Sequence, residues 1–176
     1  MKRINFRSQN PSETRLALAL IILGVACRVL PHPENVTPTA ALALFAGVTL
    51  SPALAFTVPL AIMIASDLFI GFHSLLWLVW PTFVLVTWIG QRVRGQEGAL
   101  PILLASFGSS LLFFVVTNLG VFFVDKMYPH SWAGLTECFA MALPFFRNSL
   151  LGDLAYTAAA FTLFGLALRR LRVVRD

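Results

Sequence analysis

Residues 51–71 read SPALAFTVPLAIMIASDLFIG. Ser51-Pro52 is a helix start signal, with proline at the first helical position, where its missing N–H costs nothing. From Pro52 onward no charge appears until Asp67. About 20 apolar residues of helix cross the roughly 30 Å of hydrocarbon in a bilayer. The stretch is therefore read as a membrane-spanning helix with one carboxylate near its far end.

The same measure, taken outward, gives six spans. They fall at about 14–30, 37–50, 52–71, 74–91, 99–124 and 150–170, with an outer loop at 125–149. The whole chain, 1–176, is read as one membrane domain. The second span is short and suits a place inside the bundle, where protein surrounds its ends. Pro31 and Pro33 stop the first helix, and Thr37-Pro38 is read as the N-cap and first residue of the second. Within the long loop, Ser131 to Phe146 is a candidate short amphipathic or re-entrant helix.

Composition agrees. Hydrophobic residues make up 58% of the 176, charged residues 12%, and the mean hydropathy is +0.81. A soluble domain carries about 25% charged residues. Half of that leaves too little polar surface to cover a water-soluble particle, which excludes disorder and an ordinary cytosolic enzyme. Cys27 and Cys138 are too few for a disulfide framework and are read as free thiols.

The net charge of +5 would suggest nucleic acid in a soluble protein, but no basic patch with interleaved aromatics is present. The positions matter more. Lys2, Arg3, Arg7 and Arg15 precede the first span, Arg92 and Arg94 follow the fourth, and Arg169, Arg170, Arg172 and Arg175 follow the sixth. With the N-terminus cytoplasmic, six spans put all three clusters on the cytoplasmic side, as the positive-inside rule requires. The N-terminal basic run followed by Leu16 to Ala26 has the opening of a signal peptide, but no small-x-small site follows, so a retained first span is expected. No internal repeat of fixed period is visible, nor an inverted one.

Oriented this way, the outer half collects the varied polar residues. An ionised carboxylate at the centre of a span costs about 2.5–3.5 kcal/mol on insertion scales, so Asp67 needs a partner or a cavity. Arg28, near the outer end of the first span, is the candidate partner. Asp153, Asn118 and Asn148 add hydrogen-bonding groups, and His73 caps the third span. Trp132 and Phe146 are candidates to close a pocket from above. The candidate substrate-binding set is thus Arg28, Asp67, His73, Asn118, Trp132, Phe146, Asn148 and Asp153. Ser106, Ser109 and Ser110 are read as helix-packing residues. No HExxH, GxSxG, phosphate loop or Walker motif occurs, so no enzyme, resident cofactor or metal site is expected.

Several stretches together resemble a known family. They are Arg28-x-Leu30-Pro31-His32-Pro33-x-Asn35-x-Thr37-Pro38, Ala41 to Gly47, Pro59-Leu60, Ser66-Asp67 with Gly71-x-His73, Thr117 to Gly120, Tyr128-Pro129, Gly134-Leu135, and Pro144-Phe145-Phe146-x-Asn148 with Asp153. This set, covering about residues 26–156, resembles a bacterial family of transport proteins similar to the substrate-binding S components of energy-coupling factor (ECF) vitamin transporters. The resemblance implies a six-helix bundle in the bacterial inner membrane with an outward-facing pocket for a vitamin or related small organic nutrient. It implies uptake by toppling of the protein, with an ECF coupling subunit and ATPases as partners. Many S components dock through an AxxxA pattern on the first helix; Leu16 to Ala26 has no clean AxxxA, which leaves room for a solitary transporter. A cobalamin-type ligand is one option, for which His73 or Cys138 would serve as axial cobalt ligand. An intramembrane enzyme acting on a lipid or cofactor, or a structural subunit that binds nothing, are the alternatives.

Overall fold

A computed structural model of the chain describes residues 11–33 and 35–173. Lys2, Arg3, Arg7 and Arg175, named above, lie outside the described residues. The described part is all-helical. Its elements are α1 (Pro11–Val29), α2 (Thr39–Thr49), α3 (Pro52–Ile70), α4 (Leu76–Val93), α5 (Leu100–Gly120), a π-helical extension of α5 (Val121–Asp125) and α6 (Trp132–Val173). Three of these helices are long and apolar enough to cross a membrane: α3, α5 with its extension, and α6.

The 11-residue α2 is the hub of the bundle. Every residue from Thr39 to Gly47 is buried, and α2 packs against each of the other five helices. At 1.5 Å per residue it is only about 16 Å long, short enough to sit wholly inside. Small residues let its neighbour approach. Gly47 on α2 and Gly90 on α4 face each other, and a Cβ on either would strike the other helix's backbone carbonyls, at Thr87 and Leu44. The start of α2 lies one residue beyond the expected site: Pro38 is the N-cap and Thr37 lies outside the helix. Ser51 occupies the N-cap position of α3, without a capping bond from its side chain, and Pro52 opens the helix as expected.

The far end of α2 is closed by a charge. The Arg94 guanidinium donates to the carbonyl oxygens of Gly47 and Leu50, two acceptors that the end of the helix leaves open. Burial pulls the Arg94 pKa below its usual value, and the nearby Glu13 carboxylate opposes that shift. Glu13 in turn accepts from the Ser51 backbone N–H at 3.2 Å. This knot ties the start of α1, the end of α2, the start of α3 and the end of α4 at one end of the bundle. Charge-assisted hydrogen bonds contribute about 1.5–3 kcal/mol. Arg94→Leu is accordingly expected to destabilise the purified protein by about 2–3 kcal/mol, read as a lower midpoint of thermal unfolding followed by circular dichroism. An unchanged midpoint would show that water replaces the guanidinium without loss.

One expectation is corrected. The segment 125–149 is not a long outer loop: only residues 126–131 lie between helices, and α6 runs unbroken over 42 residues. Ser131 caps its first turn by accepting from the Gly134 N–H at 3.1 Å. Pro144, Arg147 and Asn148 suggested a break, yet the helix carries them because Arg147 and Asn148 point away from the core and are exposed. Proline costs one backbone hydrogen bond and crowds the preceding turn, which the packing on either side of it offsets.

Hydroxyls inside the bundle are satisfied locally. Thr82, Thr87, Ser109 and Thr117 each donate to the carbonyl four residues earlier. Such back-bonding lets a polar side chain sit in an apolar bundle without an orphaned donor. Ser106 also bonds across helices, to Thr157 at 3.0 Å.

Candidate functional site

The charged centre of the site is built by α1, α3 and α4. Arg28 donates through Nη2 to Asp67 Oδ1 at 2.7 Å and through Nε to Ser66 Oγ at 2.6 Å. The indole Nε1 of Trp80 donates to the other carboxylate oxygen of Asp67 at 2.9 Å. The Ser66 hydroxyl donates in turn to the Ile62 carbonyl oxygen at 2.7 Å. The expected Arg28–Asp67 partnership is therefore present, and Asp67 is only 1% exposed behind it. Asp67 accepts one N–H at each oxygen and lines neither of the two cavities described below. Its role is to hold Arg28, and Arg28 is the member of the pair that reaches open space.

That space is a cavity of about 190 Å³ lined by Arg28, His32, Asn35, Thr37, Ser149 and Asp153, with Phe83 and Phe113 behind them. It adjoins a second cavity, of about 260 Å³, with which it shares Asn35, Phe113 and Ser149. The second is floored by rings: Phe113, Phe114, Phe145 and Phe146 line it, with Ser110, Thr117 and Asn118. One cavity is polar and charged, the other aromatic.

The register of α5 against α6 accounts for the aromatic cavity. Ser110 donates to Asp153 Oδ2 at 2.7 Å, and Cys138 Sγ lies 3.5 Å from the Asn118 carbonyl oxygen. Between these two ties α5 advances eight residues, about 12 Å, while α6 advances fifteen, about 22 Å. The α6 residues between the two ties include Ala142, Phe145, Phe146 and Ser149, which line the cavity. Phe114 reaches across the gap to Phe146, with ring centroids 4.5 Å apart, and to Phe139 at 5.4 Å.

The structure thus brings five of the eight candidate residues together. Arg28, Asp153, Asn118 and Phe146 line the joined cavities, and Asp67 stands behind Arg28. The other three lie elsewhere. His73 sits in the α3–α4 connection, where its Nδ1 accepts from the Leu75 N–H at 3.3 Å. Trp132 is 84% exposed and belongs to a separate hollow with Phe122, Phe123 and His130. Asn148 is exposed. Cys138 is buried at the α5–α6 contact, with its Sγ 3.5 Å from the Asn118 carbonyl oxygen. Among the described residues no group of three or more His, Cys, Asp or Glu side chains is placed to hold a metal.

Asn35, Ser149, Phe113 and Ser110 are cavity residues outside the candidate set. Asn35 has a positive φ of 59°, in the left-handed region that asparagine tolerates better than most residues. That turn brings Asn35 to the junction of the two cavities. Ser110 was read as packing alone, because a serine in a span usually bonds within its own helix. Its single O–H is shared between the Ser106 carbonyl, at 3.1 Å, and Asp153, at 2.7 Å, so the bond within the helix is only part of its role.

A helical bundle with long apolar helices, a hydroxyl-lined interior and a charged cavity at one end has the build of a membrane protein. The chain belongs to a family of unknown function, DUF6580, whose model matches residues 8–174. No curated protein and no solved structure matches it.

Proposed function

We propose that the protein is a multi-pass component of the bacterial inner membrane that binds a small organic nutrient, of the vitamin or cofactor-precursor kind, for uptake. All six helices then cross or fill the bilayer, with both termini cytoplasmic and the joined cavities facing outward. The observation that carries this reading is the pair of adjoining cavities at the Arg28–Asp153 end. Binding sites for small molecules are concave, mostly apolar, and carry a few placed polar groups; here aromatic rings supply the first property, and Arg28, Asn35, Ser149 and Asp153 the second.

Their size favours a small ligand over a corrinoid, which is far larger than either space. The small residues of α1 bear on the choice of partner. Ala17 and Gly24 are buried, Gly24 so closely that an added Cβ would press on Ile62 of α3. Leu18, Ile22 and Leu23 face outward instead. Ala19 is exposed, but the positions four residues away on its face are Arg15 and Leu23, so the outer face of α1 has no pair of small residues at that spacing; a solitary carrier is therefore favoured over one that docks a coupling subunit and ATPases through small residues of α1.

Native mass spectrometry of the gently purified chain tests the proposal. A retained small molecule, unaltered on release, is the expected result. Ala142→Trp, which fills the aromatic cavity from α6, is expected to lower its occupancy by at least about tenfold, a change of some 1.4 kcal/mol. A chemically altered product would point to an enzyme. A bare protein, with wild type and variant alike, would point to a structural subunit.

A further inference from the structure

The charges of the site do not cancel. Arg28 and Asp67 neutralise one another at 2.7 Å. Asp153 is 7% exposed and lines the same cavity as Arg28, yet the Arg28–Asp67 bridge is the one ion pair among the described residues. Its only hydrogen bond there is the one from Ser110, to Oδ2. A carboxylate offers about four lone-pair sites, so most of its accepting capacity is open. His32, at the exposed rim, is the other titratable group on this cavity, and no bond joins it to Asp153. A buried carboxylate without a cation is costly in a low-dielectric setting. Such a group is neutralised either by a proton or by a positive charge that comes to meet it, and an open cavity beside it gives the second a place to bind.

What lies beside Asp153 indicates what carries that charge. Ser110, which holds the carboxylate, also lines the aromatic cavity, so Asp153 stands where the two spaces join. Phe113, Phe114, Phe145 and Phe146 surround the far side. Ring faces attract cations and receive flat apolar groups equally well.

We infer that Asp153 is the recognition group for an organic cation, a protonated amine or similar N–H donor whose apolar or aromatic body lies among these phenylalanines. This rests on the receptor reading above and narrows it to a substrate class. Asp67 is excluded from the role because Arg28 already neutralises it and it is only 1% exposed.

The test uses the full-length protein in detergent or nanodiscs, with thermal stabilisation as the readout, since a ligand that binds only the folded state raises its stability. The probes are 2-phenylethylammonium, the neutral 2-phenylethanol and the anionic 3-phenylpropanoate, in sodium-free buffer. The expected result is stabilisation by the ammonium alone, with apparent affinity weakened at least about tenfold in Asp153→Asn. Asparagine keeps an oxygen for Ser110, so the variant retains the fold, which an unchanged circular dichroism spectrum verifies. Equal effects of all three probes, or an undiminished response in Asp153→Asn, would overturn the inference while leaving the receptor reading intact. An Asp153-dependent response to sodium chloride in place of the amine would assign the carboxylate to an inorganic ion and overturn it too. No response to any probe also overturns it; the receptor reading then falls as well only if native mass spectrometry finds no retained molecule.

Discussion

Arg28→Leu is expected to cost about 3–5 kcal/mol of stability, because it strands a buried charge. Asp67 would keep only the Trp80 N–H at 2.9 Å, having lost the guanidinium at 2.7 Å. At 1% exposure water cannot replace what is lost. The effect is asymmetric: removing both partners should cost much less than removing one, since a buried pair replaced by apolar groups of similar volume is often neutral. The double variant Arg28→Leu/Asp67→Leu is thus expected to unfold at a higher temperature than Arg28→Leu alone. Arg28→Lys keeps the charge but loses the fork that reaches Asp67 and Ser66 together, and should fall between. Thermal unfolding of the four proteins in one detergent measures this directly. Equal stability of wild type and Arg28→Leu would mean that the ion pair does not organise the site.

The second large effect is expected at the α2–α4 crossing. Gly47→Val places a branched side chain where a single Cβ already meets the Thr87 carbonyl oxygen. Backbone cannot swing aside as a side chain does, so the helices must separate. Overpacking of this kind costs about 1–3 kcal/mol and sometimes more; at the hub of the bundle the upper end applies. The other helices that bury themselves on α2 would shift with it. Gly108→Ala is the control, because nothing lies within 4 Å of its added Cβ. There the substitution should leave stability unchanged or raise it by up to about 1 kcal/mol, through better helix propensity. The yield of monodisperse protein and its unfolding midpoint separate the two outcomes. Gly47→Val matching wild type would show that α2 and α4 are not in tight contact.

Much of the architecture was legible from length and hydropathy. Residues 51–71 gave α3 almost to the residue, and the brevity of the second apolar run already pointed to an enclosed helix. The long α6 was misread for a physical reason. Pro144, Arg147 and Asn148 are loop-forming by type, and hydropathy drops around them. The counter-signal was periodicity: Gly134, Cys138, Ala142, Ser149, Gly152, Asp153 and Thr157 recur at helical spacing across the proline, all buried or half-buried. A stripe of mostly small residues at that spacing is the inner face of a packed membrane helix. It continues through Pro144 without a change of phase.

The site was legible where charge forced the issue. A carboxylate inside an apolar run demands a partner, and Arg28 stood at the matching depth. His73 and Trp132 lie away from the cavities because chemical versatility says nothing about direction: His73 turns to a nearby backbone N–H, and Trp132 faces outward. Asn35 escaped notice because a turn, not a helix, delivers it to the cavity. Ser110 escaped because only the pairing of α5 with α6 reveals its second bond.

The burial of α2 also bears on how the chain is made. In a bilayer its roughly 16 Å would span only half the hydrocarbon, leaving its terminal peptide groups without partners until protein surrounds them. Arg94, Gly90 and the rings of Phe161 and Phe164 that grip Phe45 are all translated later. The ribosome therefore delivers the central element early and its wrapping last. Assembly of this protein must end with a late enclosure step, and truncation before α6 would leave the newborn chain with its hub uncovered for quality control to find.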